Sequence, residues 1–377
     1  MLSLSEFLRI FRSPHIPFSE FLNNAKVRIG TNLRPLRVYI REKSIEMENT
    51  RLLYENIENR NAYLTRLYNT SLRINDETMH FHGKIEPMKN NQFHNNHQTN
   101  IKNRIRNLHF RDILQNTKSG FQNNPSFLDV LIDLYTKKII DYKLLTPSSI
   151  FYIKNGRIGS VFSSLYFRAS ILNPYLVYSL NESVLHGKRI FTPTLGWTSY
   201  CYGFLESPRV FEYVGTDVIP QVCEKTREFA KSFSKKCEIF CEPSEDLLKN
   251  LAFMKRYREH FDVVFFSPPY YKLEMYQGEM QSTQRYKTYD EWLYKYWEKT
   301  IQLCHQVLKQ DGIMCYILSG YGSENTKEKY DLVYDMNYVA KKYFRQKNIQ
   351  PMLNKDVHVT KHKETEEQIV FFVKKTT

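Results

Sequence analysis

The sequence predicts an α/β fold with a mostly parallel sheet in its second half, preceded by a mainly helical N-terminal region. Three observations carry this. Short apolar runs alternate with helix-like segments from Arg189 onward, the pattern of a parallel sheet wrapped by helices. The most apolar run, Phe261–Phe266, reads as a buried strand and is followed at once by Ser267-Pro268-Pro269-Tyr270. Over 41–73, by contrast, Leu, Ile and Tyr recur at helical spacing with no Gly or Pro.

The chain has 377 residues, 42% hydrophobic and 15% aromatic, enough for two domains with real cores and too apolar for a disordered chain. No apolar run approaches the roughly 18 residues that span a bilayer, so no membrane partner is expected. The net charge is +14 and is spread over both halves. Such an excess favours a polyanion, because Lys and Arg beside phosphates release condensed counterions. A basic protein with no such partner is the bland alternative.

All six cysteines (Cys201, Cys223, Cys237, Cys241, Cys304, Cys315) fall in the second half, with no Cys-x-x-Cys pair and no zinc-spaced histidine. They read as buried thiols of an intracellular, reducing compartment, cytoplasm or nucleus. The amphipathic 1–12 segment leaves a mitochondrial presequence open, although Glu6 argues against one. His80 and His82 are read as surface residues, and no metal site is expected.

Two domains are expected, 1–145 and 146–377. The first is the candidate for nucleic-acid recognition. The Asn- and His-rich stretch 89–103 reads as a polar linker. Lys102, Arg104, Arg106 and Arg111 follow it, interleaved with apolar residues. They suit either a phosphate-tracking cluster or the solvated face of a helix, the latter weighted slightly higher. In the second domain the pattern predicts strands over 189–194, 210–217, 237–241, 261–266, 313–318 and 368–374, and helices over 220–233 and 289–309.

In open sheets of this kind ligands bind beyond the C-terminal ends of the strands. The first strand runs into Pro193-Thr194-Leu195-Gly196-Trp197, where Gly196 lets backbone approach a ligand. The second ends in Asp217-Val218, where a carboxylate can accept from both hydroxyls of a ribose, or can cap the next helix. The third ends in Cys241-Glu242, and Glu242 or a neighbour can accept from an adenine amino group. The fourth ends in Ser267-Pro268-Pro269-Tyr270. Two prolines remove two N–H donors and stiffen the turn, leaving carbonyls and the Ser267 hydroxyl as acceptors. An aromatic amine is a poor nucleophile because its lone pair is delocalised. Acceptors on both its hydrogens would free that pair, and Tyr270 can stack on an unstacked base.

These residues resemble the amino-methyltransferases of nucleic-acid bases, which carry Ser/Asp/Asn-Pro-Pro-Tyr after the fourth strand. The resemblance extends to Tyr271, Leu273-Glu274, Tyr276, Gln281-Ser282 and the stretch Tyr289 to Leu293. It also includes Pro193 to Trp197, Tyr213 to Asp217 and Glu242 to Asp246. It covers 160–377 and implies a class I methyltransferase domain, Rossmann-like, with a mostly parallel seven-stranded sheet. S-adenosylmethionine would be held by Pro193, Thr194, Gly196, Trp197, Asp217, Val218 and Glu242, and Ser267 to Tyr270 would be the catalytic loop. The implied activity is methylation of adenine N6 or cytosine N4 in DNA. An RNA base is the second possibility. A catalytically inactive subunit of the same fold, binding nucleic acid or a partner, is the third. It is motivated by departures in the first motif: Thr192 stands where the family has Asp, and Thr198 and Ser199 where it has Gly. Target recognition is expected from the N-terminal region and the loop 272–288.

Overall fold

A computed structural model describes residues 1–75, 80–120, 124–319, 330–353 and 364–375. Its larger sheet has seven strands: β1 Arg189–Thr192, β2 Glu212–Thr216, β3 Lys236–Phe240, β4 Phe261–Phe266, β5 Leu308–Ser319, β6 Phe344–Leu353 and β7 Glu364–Lys374. They lie in the order β3-β2-β1-β4-β5-β7-β6. The strands β1 to β5 pair in parallel, and β7 runs antiparallel to both neighbours. This is the class I methyltransferase arrangement. Strand order reverses between β1 and β4, so the chain leaves these two neighbours toward opposite sides and a crevice opens at their C-terminal ends.

Val263, Val264, Phe265 and Phe266 of β4 are all fully buried. A parallel strand covered on both faces needs such a continuous apolar run, and each buried side chain contributes roughly 1.5–3 kcal/mol. One strand, β6, lies outside the sequence expectation. It is polar, contains Pro351 and has two register breaks against β7. Proline and irregularity are tolerated at a sheet edge, where one side of the strand needs no partner. The helices that matter for the site are α1 Ser199–Glu206, α2 Pro220–Ala230, α3 Glu298–Val307 with a π-helical turn Trp292–Trp297 before it, and α4 Leu332–Tyr343.

The chain divides into two compact units, but not at 145/146. One comprises 1–73 and 106–170; the other comprises 74–105 and 171–377. Within the first, 146–170 joins earlier segments through Phe127 N–H to Phe167 O (2.8 Å) and Ala169 N–H to Ile113 O (2.9 Å). This unit is not wholly helical. A small sheet places Lys26–Ile29 between Asn32–Pro35, antiparallel, and Ile139–Asp141, parallel. The stretch 41–73 is three helices, Leu36–Glu42, Met47–Glu58 and Arg60–Ser71.

The expected linker 89–103 belongs to a longer strap, 80–105, of which 89–92, 99 and 100 are exposed while both ends are packed in the second unit. Phe81 is fully buried against Tyr178 (5.2 Å) and Tyr202 (5.3 Å). The Glu206 carboxylate accepts from the N–H groups of Phe81 (3.2 Å) and His82 (3.1 Å), and pairs with His80 Nδ1 (3.1 Å). Asn95 Oδ1 accepts from Asn173 N–H (2.7 Å), and the Asn173 amide donates to His97 O (2.6 Å). Asn and His that read as linker composition are here the capping groups of buried backbone. Lys102 and Arg104 are likewise buried, and the Arg104 guanidinium lies over the rings of Phe229 (4.4 Å) and Tyr202 (5.2 Å). Neither is available to phosphate; Arg111 is exposed.

Removing a fully buried ring leaves a cavity that costs about 3–5 kcal/mol. Phe81→Ala is therefore expected to lower unfolding stability by that amount in urea titration. A change within about 0.5 kcal/mol, the surface value, would mean that the strap is a linker after all.

Candidate active site

The turn after β1 is left-handed over three consecutive residues, with φ of 51° at Gly196, 58° at Trp197 and 72° at Thr198. Such angles cost an L-residue about 1–2 kcal/mol each, so the surroundings must hold them. The Thr198 hydroxyl shares a 2.7 Å hydrogen bond with Thr226 of α2, and the side chain is fully buried. The Cβ that replaces the family's glycine therefore points into the helix packing. Thr192 is also turned inward, sharing a 2.6 Å hydrogen bond with Tyr213. Gly196 is required for a second reason: a Cβ there would lie 2.2 Å from the Tyr200 ring.

Asp217 ties this turn to the end of β2. Its Oδ2 accepts from Leu195 N–H (3.2 Å), and its Oδ1 accepts from Val218 (2.8 Å) and Ile219 (3.1 Å). Burial pushes its carboxyl above the ordinary value, against those three amides. Oδ1 is thus fully used, and Oδ2, with one partner, retains lone-pair capacity for a further donor. Glu242 is half-buried at the end of β3, where its carbonyl accepts from the Thr216 hydroxyl. Pro193 is buried beneath the turn, Thr194 and Val218 are half-buried, and the Trp197 ring meets the Tyr276 ring edge-on at 5.7 Å.

The loop Ser267 to Tyr270 leaves β4 beside this turn and is joined to it by one side chain. The Tyr200 hydroxyl accepts from Ser267 N–H (3.1 Å) and donates to Ser267 O (3.3 Å). The Ser267 carbonyl is thus turned inward, a correction to the expectation that all the local carbonyls face outward. Tyr270 is half-exposed, and its hydroxyl accepts from Ser319 N–H at the end of β5 (2.8 Å). Burial pushes its phenol up to about 12, with Ser319 and the Ser267 hydroxyl pulling the other way. Tyr271, by contrast, is core: its hydroxyl donates to Lys287 O (2.7 Å) and its ring packs against Tyr289, Trp292 and Tyr330.

The loop 272–288 is tied down in its second half, at Ser282 and Arg285, while 277–280 are exposed. Trp292 Nε1 donates to the Ser282 hydroxyl (3.1 Å). Arg285 reaches Glu245 (2.6 Å) and Asp246 (2.8 Å) beyond β3. Arg285, Tyr200 and Tyr296 escape sequence inspection. Tyr200 had a visible signal, an aromatic residue four positions after an obligatory glycine. Arg285 had none, because its partners lie 40 residues away.

Three buried polar atoms here have no hydrogen-bond partner, the Thr194 and Ser199 hydroxyls at the turn and the Tyr296 hydroxyl on the π-helical turn. Buried orphans are costly and rare. With the Asp217 and Glu242 carboxylates they fit a polar nucleoside ligand such as S-adenosylmethionine. Among the described residues no cluster of metal-ligating side chains occurs, and no helix is long and apolar enough to cross a membrane.

The sheet order, with its reversal point between β1 and β4, is that of the class I methyltransferase fold. Residues 261–377, from β4 onward, match the family model described as DNA methylase. No curated protein matches the chain. Similar solved structures include the N-methyltransferase NodS from Bradyrhizobium japonicum WM9 with S-adenosyl-L-homocysteine, 11% identical, covering 53% of this chain and 84% of that one at a TM-score of 0.34. TrmN from Thermus thermophilus is 12% identical, covering 54% and 49%, TM-score 0.35. PH0226 protein from Pyrococcus horikoshii OT3 is 16% identical, covering 50% and 82%, TM-score 0.31.

Tyr200→Phe deletes both bonds to Ser267 and leaves its N–H unpaired, a loss of about 1–3 kcal/mol. The expected result is a fall in kcat of about tenfold or more with S-adenosylmethionine affinity nearly unchanged. Equal losses in both would instead assign Tyr200 to cofactor binding. Glu245 gives a pH test. Burial pushes its carboxyl up to about 7, against Arg285. A folded value above the ordinary 4.5 means its stabilising contribution is complete below 4.5 and lost as pH rises through 7. The melting temperature of the wild type relative to Glu245→Gln should fall between about pH 5 and about pH 8. Parallel curves would refute this.

Proposed function

We propose that the protein transfers a methyl group from S-adenosylmethionine to the exocyclic amino group of a base in DNA, adenine N6 or cytosine N4. The observation that carries this reading is the half-exposed Ser267 to Tyr270 loop, at the reversal point of the sheet and tied to the cofactor turn through Tyr200. The match of 261–377 to DNA methylases supports DNA ahead of RNA. The hydroxyls of Thr192 and Thr198 are engaged by Tyr213 and Thr226, which supports an active enzyme ahead of an inactive subunit.

In this reading Asp217 accepts from the ribose, Glu242 from the adenine amine, and the Pro193 to Trp197 turn borders the methionine portion. When bound, S-adenosylmethionine supplies an electrophilic methyl carbon. Tyr270, fixed by Ser319, stacks on the target base. The Ser267 hydroxyl and the Pro268 carbonyl accept from its amino hydrogens and draw the nitrogen toward tetrahedral geometry. The nitrogen so held would be presented to the methyl carbon that the bound cofactor would supply, with the thioether as leaving group and one amino proton shed to solvent. No protein–base covalent bond is needed; alignment supplies the rate.

The test is transfer of labelled methyl from S-adenosylmethionine to duplex DNA, single-stranded DNA and RNA of matched sequence. DNA should be labelled in preference to RNA, and Ser267→Ala should lower kcat about tenfold or more while the cofactor still binds. Absence of label in both DNA forms under conditions where cofactor binding is measured would overturn the proposal.

A further inference from the structure

All three exposed tyrosines of the second unit, among the described residues, lie together: Tyr294 is 48% exposed, Tyr334 64% and Tyr338 57%. Single exposed aromatics need no explanation, whereas a group of them does. Tyr334 and Tyr338 are one helical turn apart on α4, with near-parallel rings 6.2 Å apart at 16°. The next residue on this face is Lys342. Its ammonium lies 5.4 Å from the Tyr294 ring and 5.8 Å from the Tyr338 ring, and Glu298 holds it at 3.2 Å.

The row begins at the active site. Tyr330, four residues before Tyr334, stacks on Tyr289 (4.1 Å, 21°) and meets Tyr271, the neighbour of Tyr270, edge-on at 5.5 Å. On α4 itself Tyr334, Tyr338 and Lys342 form a stripe at four-residue spacing, and Tyr330, two residues before the helix, joins its start to Tyr271. The acids beside it are engaged within the protein. Asp331 accepts from Tyr334 N–H at the helix start, Asp335 from the Tyr289 hydroxyl, Glu298 from Lys342 and Tyr343, and Glu291 from Lys295. Lys299 and Lys341 add exposed cations.

We propose that this stripe is the track for an unpaired nucleic-acid strand next to the target base, with Tyr334 and Tyr338 as stacking platforms and Lys342 and Lys341 at its phosphates. This rests on the proposed nucleic-acid substrate and locates where the strand runs. Separate aromatic faces alternating with cations suit any base and a polyanion. A protein interface core would call for contiguous apolar packing without charge. From Tyr334 to Lys342 the helix rises about 12 Å.

The experiment uses the full chain. Binding of a fluorescent single-stranded DNA oligonucleotide is measured by anisotropy for the wild type, Tyr334→Ala/Tyr338→Ala and Tyr334→Phe/Tyr338→Phe. S-adenosylmethionine affinity, melting temperature and oligomeric state are measured in parallel. Expected is about tenfold or greater weakening for the alanine pair, near-complete recovery in the phenylalanine pair, and unchanged cofactor binding and melting. Equal oligonucleotide affinity in wild type and alanine pair, with the wild type methylating DNA, overturns the track and leaves the activity standing. A wild type that binds and methylates no nucleic acid overturns both. A wild-type dimer that the alanine pair renders monomeric assigns the stripe to self-association instead.

Discussion

The ends of β1 and β4 are held side by side by one phenol, an arrangement the proposed methyl transfer depends on. The Tyr200 hydroxyl takes the Ser267 N–H and gives its own proton to the Ser267 carbonyl, so both backbone polar groups at the head of the catalytic loop are satisfied by one residue of α1. Proline at the next two positions contributes no N–H, and the loop has few other ways to be fixed. The same ring occupies the space over Gly196. Glycine at that turn, usually explained by ligand approach, is here also a packing requirement.

The cofactor turn depends on a second set of ties. Three consecutive left-handed residues, two of them bearing side chains, store backbone strain that the Thr198–Thr226 bond and the Leu195 N–H to Asp217 bond hold in place. Asp217 therefore has a structural function before it meets any ligand. Its raised pKa follows from burial outweighing its three amide partners. The second half of the loop 272–288 is fixed by the same kind of economy, with Arg285 spanning from the loop to the acids beyond β3.

Burial gives polar sequence a different meaning in the strap. Asn, His and Arg side chains of 80–105 satisfy backbone groups or lie against aromatic rings in the sheet unit. A basic cluster that composition offers to phosphate is largely spent on packing. The exposed Tyr and Lys of α4 are where aromatic and cationic groups remain in solvent.

Much of the catalytic unit was legible in the sequence because its signals are local. A parallel strand buried on both faces must be an apolar run, so β4 was visible as Phe261–Phe266, and the polar ends of β1, β2 and β3 marked the crevice by their position alone. The edge strand β6 was hidden because an edge tolerates polarity, Pro351 and register breaks. The division of the chain was hidden too, because whether Asn95 or Arg104 is solvated or buried depends on partners far along the chain. Sequence by itself determined the strand ends and the Ser267 to Tyr270 loop, whose backbone chemistry is set by neighbouring residues. Only the tertiary structure decided that Tyr200 locks that loop, that Thr192 and Thr198 face inward, and that both ends of the polar strap are packed, since each is a pairing of buried groups brought together by the fold.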